Sequence, residues 1–410
     1  MRRSLLASIV LLLLAAGCGA DARPAAVPPP AGSAPPAAGA HPSWIDRSDE
    51  NARVLLAVET EFSPERASTL GVEVADERTV DLGEGFRGRL VATLRDASIK
   101  LLARRATEAE PLVAQDLAIL LHDADLQIRE IELTDKTLVP HWDVARTVFN
   151  GVHALLDDQV APARRAHALA RLRRYAGLEQ GSTPLADLAK ADVVAHLARP
   201  GLLAPARIDV EKSLSTTTTL RDGIEKLFVK YQIAGYEEPL RALSRQLAAY
   251  DDFLRTDVLP RARGDFALPP EVYALRLERF GVDLPQDRLV AQAHEEFGAL
   301  QAEMQRVAAQ VAKARHLPSA DYHDVIRELK REQLVGEAIL PHYRQRLADI
   351  EAIIRRERLV TLPARPARIR LGTDAENAQQ PAPHMTPPRL LGNTGEQGEF
   401  VLPLSVAAPT

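Results

Sequence analysis

Five short clusters hold the side chains that could do chemistry. His294-Glu295 opens like the zinc-helix pattern H-E-x-x-H. In that pattern two imidazoles one turn apart hold the metal, and the glutamate takes a proton from bound water. The position due for the second imidazole is Gly298, and one imidazole does not hold zinc alone. Asp321-Tyr322-His323-Asp324 gathers ionisable groups, but Asp321 follows the Pro318-Ser319 turn. An acidic side chain there more commonly caps the next helix. His122-Asp123-Ala124-Asp125 and His141-Trp142-Asp143 are similar clusters of low specificity. Gly83-Glu84-Gly85-Phe86-Arg87-Gly88 matches G-x-G-x-x-G. That fingerprint has force only between a strand and a helix, where backbone amides meet a pyrophosphate. Here Glu84 would face the phosphates and no run of parallel-strand patterns follows, so the segment reads as a loop. No G-x-S-x-G elbow, P-loop or C-x-x-C occurs, and Thr216 to Thr219 reads as a weak helix or loop. These residues assemble no believable catalytic site.

Helices would have to position whatever these clusters do. Aromatic residues are only 4 % of the chain while Ala and Leu dominate, which suits packed helices rather than a sandwich or barrel. Residues 51–61, apolar at Val54, Leu55 and Val58, predict a first helix. Ser63-Pro64 then predicts a helix start and Gly71 its stop. Residues 97–133, interrupted at Pro111, predict two helices. Three stripes are cleaner. Leu240, Leu243, Leu247, Tyr250, Leu254 and Val258 run between Pro239 and Pro260. Leu289, Ala293, Phe297, Leu300, Met304, Val307 and Val311 follow Pro285, and Leu340, Tyr343, Leu347, Ile350 and Ile354 form the third. Steps of three and four mark the apolar face of an amphipathic helix, and packing within one domain is the expected use. His294 lies next to the second stripe, so its tip is expected in solvent beside a packed face.

After residue 359 the texture changes. Val360-Thr361-Leu362-Pro363 and Ala367-Arg368-Ile369-Arg370-Leu371 have strand-like content. A Pro-rich loop over 379–388 and a Gly-rich turn over 392–398 lead to a last strand at 399–404. The expected fold is mainly α, a multi-helix body with a small β-sheet near the C-terminus. An unpaired strand edge is a liability, so further chain is expected to follow the closing strand.

The N-terminus carries an address. Arg2 and Arg3 precede an apolar run from Leu5 to Ala16, and Gly17 leads into Cys18, the only cysteine. A positive start, a short apolar run and small residues before the cut mark a secretory signal. The run is shorter than the roughly 20 residues a spanning helix needs, and a single cysteine makes no internal disulfide. Leu14-Ala15-Ala16-Gly17-Cys18 looks like a bacterial lipobox, with Cys18 the site of lipid attachment. Gly19 in place of Asp after it favours, by resemblance to other lipoproteins, the outer membrane facing the periplasm. Acyl chains at about 0.8 kcal/mol per buried methylene would hold the protein on the bilayer. Residues 22–42, nearly all Ala, Pro and Gly, read as a semi-rigid tether. The expected division is a signal peptide over 1–17, a tether over 18–45 and a helical body over 46–410. That body is long enough for two lobes. Net charge is −5 with mixed signs along the chain, so no basic face points to nucleic acid.

Several segments carry a resemblance. Pro64-Glu65-Arg66-Ala67-Ser68-Thr69-Leu70-Gly71, Phe253-Leu254-Arg255-Thr256-Asp257-Val258-Leu259-Pro260-Arg261-Ala262 and residues 273–281 are the first of them. Residues 291–307 with Glu295, Glu296 and Met304, Leu359-Val360-Thr361-Leu362-Pro363, and the closing 395–404 complete the set. Together they resemble the bacterial family called domain of unknown function 885, from about Phe62 to Leu404. The resemblance implies a zincin-type zinc peptidase. It also implies that the closing strand is followed by a helix bearing an H-E-x-x-P-G-H-like motif, with more carboxylate ligands beyond. None of those positions is present in this sequence, so the zincin-like fold is expected to be incomplete. No cofactor is then expected in this chain, and zinc only together with a further C-terminal part. No metal ligand or catalytic residue carries over. In zincins a strand just ahead of the metal helix often pairs with peptide substrate, and by that analogy Gly398, Glu399, Phe400 and Val401 are the candidate substrate edge. Two functions are carried forward. One is a membrane-tethered lipoprotein resembling the N-terminal part of a zinc peptidase, inactive alone and partnered by peptides or a complementing C-terminal fragment. The alternative is a non-catalytic envelope lipoprotein that binds peptides or partner proteins.

Overall fold

The computed structural model describes residues 43–332, 334 and 336–403. Cys18, the signal segment, most of the tether and Leu404 lie outside the described residues. The fold is mainly helical with one three-stranded sheet. The chain divides into two compact units: residues up to Phe280 with Arg389–Asn393, and Gly281–Pro388 with the residues from Thr394 onward.

In the first unit, α1 (Trp44–Phe62), α2 (Pro64–Leu70), α3 (Phe86–Thr107) and α4 (Pro111–Thr137) come first. Each boundary has a local cause. Ser43 and Asp46 form a capping box at the start of α1, which satisfies two orphan amides reciprocally. Pro64 and Pro111 open α2 and α4 at positions where no amide is missed. Gly71 ends α2 in the left-handed conformation at φ 104°. Leu55, Leu56, Leu94, Leu101, Leu117 and Leu120 from three of these helices form one core, and Leu390 and Leu391 pack against it from far along the chain. The Leu391 amide donates to the Leu70 carbonyl at 2.9 Å. A Cβ on Gly71 would collide with the Leu391 carbonyl oxygen, so glycine is required there by both conformation and room.

The unit continues through α5 (Val144–His153), α6 (Pro162–Arg165), α7 (His167–Tyr175), α8 (Leu185–Leu197), α9 (Arg207–Lys230), α10 (Glu237–Phe253) and α11 (Pro270–Arg279). The predicted stripe is core along α10 and the π-helical turn Leu254–Val258 that continues it: Leu240, Leu243, Leu247, Tyr250, Leu254 and Val258 are all buried. Burial of each such leucine contributes about 1.5–3 kcal/mol relative to exposure. Of the two readings of the four-threonine run, helix or loop, the helix holds. The run lies inside α9, where Thr217 is buried and donates to Asp251 at 3.1 Å. Asp251 in turn is pushed up by burial, against the pull of Thr217 and Arg255.

The second unit holds α12 (Gln286–Arg315), α13 (Tyr322–Arg331), α14 (Ile339–Glu357), α15 (Asp374–Gln379) and the strands β1 (Arg368–Leu371), β2 (His384–Thr386) and β3 (Glu399–Leu402). Asp321 caps α13 by accepting from the His323 and Asp324 amides, as its place after a turn predicted. The stripe on α12, however, is not a packed face. Only Ala308 and Ala312 are buried, against Val325 of α13, while Phe297 is 65 % and Leu300 60 % exposed. The reason is coverage: α13 spans only the C-terminal part of this 30-residue helix. Likewise α14 buries no residue fully. Residues 360–363 form no strand. Pro363 cannot donate to a ladder, and pairing begins only at Arg368.

The sheet order is β1-β3-β2. β3 runs parallel to β1, with Arg368 opposite Glu399 and Leu371 opposite Leu402, and antiparallel to β2, with Met385 opposite Phe400. The closing strand is therefore the centre of the sheet, and the expected unpaired edge does not exist. Among the described residues, no helix is long and apolar enough to cross a membrane.

Candidate functional site

The sheet places the four predicted substrate-edge residues. Glu399, Phe400 and Val401 lie on β3 and Gly398 just precedes it, its carbonyl accepting from the Arg368 amide at 2.8 Å. Both sides of this strand are occupied by β1 and β2, so a peptide has no room to pair with it directly. The sheet's outer edge on the antiparallel side is β2, which the sequence reading left inside a Pro-rich loop. Phe400 packs near Tyr343 of α14, with ring centroids 5.9 Å apart.

Glu399 is only 3 % exposed. Its carboxylate accepts from Arg370 Nε at 2.6 Å and faces Arg368 at 3.3 Å. Arg370 also donates to both oxygens of Glu376, at 3.0 and 2.7 Å. Glu376 closes a capping box with Thr373 at the start of α15. Burial alone would lower the Arg370 guanidinium, but its hydrogen bonds to Glu376 and Glu399 raise it instead. Charge-assisted forks of this kind are strong and directional. They lock the sheet to α15 and leave Glu399 an acceptor tied to two cations, not a general base.

His294 and Glu295 sit exposed on α12. Among the described residues, no group of three or more His, Cys, Asp and Glu side chains could hold a metal ion. These described residues do not furnish a zinc site.

What the fold does assemble lies in the first unit, from motifs that read as unrelated. Arg87, from the Gly-rich run, opens α3 and forks onto Asp192 of α8 at 2.6 and 2.9 Å. Trp142 donates its indole N–H to the same carboxylate at 2.7 Å. His196, one turn along α8, reaches Asp135 at the end of α4 at 3.1 Å, and Arg199 reaches that carboxylate at 3.3 Å. Burial would raise Asp135, but His196, Arg199 and Arg87 together hold it below the ordinary carboxylate range. Neighbouring Asp143 caps α5 and binds Arg146, while His141 Nε2 lies 2.9 Å from Ser213 Oγ. Burial pushes His141 down. That His–Ser pair has nucleophile-and-base geometry, yet Ser213 is buried and the contact offers no approach for a substrate.

A second buried set ties α2, the following turn, α6 and α7 together. Arg164 forks onto Asp76 at 2.7 Å through each of two nitrogens, and Ser68 donates to Asp76 at 2.7 Å. Arg171, fully buried, donates to the Gly151 and Ala75 carbonyls. Tyr175 donates to Glu65 at 2.7 Å, and burial first, then Glu65, pushes its phenol well up. Gly151 is what admits that hydroxyl, since a Cβ there would overlap it. Such ion pairs fix geometry more than they add stability. One groove in this unit, about 320 Å³ between α9 and α10, is lined by Arg221, Asp222, Glu225, Tyr236 and Arg241 among others. It is shallow and mixed in charge.

Sequence reasoning missed these networks because their partners lie far apart in the chain. The only local signal was the concentration of charged and aromatic residues at 83–88 and 141–143.

Comparison with known proteins then adds the following. The profile of a family described as "Bacterial protein of unknown function (DUF885)" matches residues 64–409. No curated protein matches the chain. A "putative lipoprotein of unknown function" from Shewanella oneidensis shares the fold, with a TM-score of 0.58 and 15 % identity, over 90 % of this chain and 66 % of that one. A "putative lipoprotein" from Colwellia psychrerythraea is similar, with a TM-score of 0.57 and 14 % identity, over 87 % of this chain and 67 % of that one. The chain thus spans about two thirds of the length of these solved structures. At such identities the likeness is one of fold.

Proposed function

The chain belongs to the bacterial DUF885 family, and from that premise we propose that it is an envelope lipoprotein carrying the substrate-wall portion of a zinc-dependent peptidase, inactive by itself. The observation that carries this reading is the three-stranded sheet at the position where the family resemblance places a metal-bearing helix next. Three features support it. The solved relatives are longer than the matched region. The apolar face of α12 is bare over Phe297 and Leu300. Both solved relatives bear lipoprotein names, in keeping with the lipobox at Cys18. In this reading lipid on Cys18 holds the body at the outer membrane, facing the periplasm. Peptide substrate adds to the outer edge of β2 rather than to β3, and a complementing C-terminal segment covers α12 and brings the zinc ligands.

The test is metal analysis and peptidase assay of the purified 410-residue protein, with and without a chelator. Neither stoichiometric zinc nor chelator-sensitive hydrolysis is expected. Tightly held zinc in this chain would overturn the reading. Mass spectrometry of the N-terminal peptide is expected to show acylated Cys18, and Cys18→Ser should release the protein from the membrane fraction. A second reading, a non-catalytic lipoprotein that binds peptides or partner proteins, is favoured by the same bare face of α12. The two separate on whether a relative's C-terminal third, fused after residue 403, restores zinc binding.

A further inference from the structure

His196 is buried, 5 % exposed, and both of its ring nitrogens face acceptors. Nδ1 lies 2.8 Å from the Asp192 carbonyl oxygen and 3.4 Å from the Asp192 carboxylate. Nε2 lies 3.1 Å from Asp135 Oδ1. A carbonyl oxygen donates nothing, and an ionised carboxylate only accepts. Asp135 is held ionised by the cations around it. A neutral imidazole has one N–H, so it satisfies one of these contacts and sets a lone pair against the other. The doubly protonated ring satisfies both.

We propose that His196 is a proton-operated clasp: protonated, it fastens the C-terminal end of α4 to α8, and on losing its proton it releases that junction. The groups facing it come from every element packed there. Arg87 stands on α3, Asp135 on α4, Asp192 on α8 and Arg199 just past its end. The loop after α4 contributes Trp142, on Asp192. From α10, Tyr250 donates to the Trp142 carbonyl at 3.0 Å. Burial, then Asp143, Asp192 and Asp251, push that phenol up, so it stays neutral. Lys190, also on α8, turns away to the Phe253 ring. Arg87 and Arg199 already balance the two carboxylates. It is the pair of acceptors, not net charge, that calls for the second N–H.

Loss of the proton withdraws the His196 donor from either Asp135 or the Asp192 carbonyl. The segment that feels this is the end of α4 and residues 138–143, which include Trp142 and His141. This device stands on the first unit alone and is independent of the peptidase reading. Its failure would be seen without any zinc or activity measurement.

The experiment is selective ¹⁵N-histidine NMR and hydrogen exchange on the full-length protein in detergent, across the range of about pH 5 to 8 where histidines titrate. His196→Gln assigns the resonance. Both ring nitrogens of His196 are expected to be protonated at the acid end. As pH rises over that range, exchange of the amides of residues 135–139, 141 and 142, corrected for intrinsic rates, is expected to speed up roughly tenfold or more, the scale of one lost charge-assisted hydrogen bond. His196→Gln should exchange fast at every pH. If that variant does not fold, Asp135→Asn serves instead, since it takes away the carboxylate that faces Nε2 and should make exchange of these amides independent of pH. A singly protonated ring throughout, or pH-independent exchange of these amides in the wild type, would overturn the proposal.

Discussion

Helices α10 and α12 carry the same kind of apolar stripe and meet opposite ends. On α10 the whole stripe is buried within the first unit, while on α12 Phe297 and Leu300 face outward. Both patterns are strong evidence of an amphipathic helix. Neither says whether anything covers the face. Coverage is a property of distant chain, and in the second unit α13 packs on α12 near its C-terminal end. The two units also differ in how they treat charge. The first buries Arg164, Arg171 and Asp76. In the second, the buried charged side chains among the described residues are Glu376 and Glu399, both held by the half-buried Arg370 beside the sheet.

Three measurements would break or sharpen this contrast. The largest effect is expected from Asp76→Ala, which strands the buried Arg164 guanidinium. Removing one partner of a buried pair costs about 3–5 kcal/mol, so chemical denaturation should show the first unit close to unfolding. A loss under about 1 kcal/mol would mean that water reaches this pair. Next comes a matched pair of leucine truncations. Leu243→Ala on α10 should cost about 2–5 kcal/mol, whereas Leu300→Ala on α12 should stay within about 0.5 kcal/mol. Equal costs by thermal denaturation would show that the α12 face is covered in solution. The smallest effect concerns acid. Asp135 has its folded value below the unfolded one, so its stabilisation is present above about pH 4 and is lost as pH falls through the folded value. Asp135→Asn should therefore narrow the gap between neutral and acid stability. An unchanged acid limb in a pH-dependent denaturation series would remove Asp135 from the account.

The sequence made some of this legible and left the rest to long-range pairing. Pro64, Gly71, Pro111 and Asp321 act locally, through missing amides, left-handed backbone or capping oxygens, and each sits where its chemistry predicted. The threonine run, readable as a weak helix or a loop, is helix, its low helical preference offset by the burial of Thr217 against Asp251. β2 escaped notice because three residues beside prolines carry no period of their own and become a strand only through Val401, Phe400 and Glu399. The candidate edge residues were located correctly as a strand and wrongly as its border. A strand's own residues give its existence, whereas its rank in a sheet depends on Arg368–Leu371 and His384–Thr386. The Arg87–Asp192 fork was beyond reach for the same reason, its two halves separated by 105 positions.

The bond from the Leu391 amide to the Leu70 carbonyl has a consequence for synthesis. A ribosome delivers α1 and α2 among the earliest helices, but Leu390 and Leu391, which pack against their core, emerge only after every helix described above. Until then the nascent protein must travel with an open seam along its first-made helices. Export through the envelope before folding would suit such a chain, because that seam closes only when the distant segment arrives.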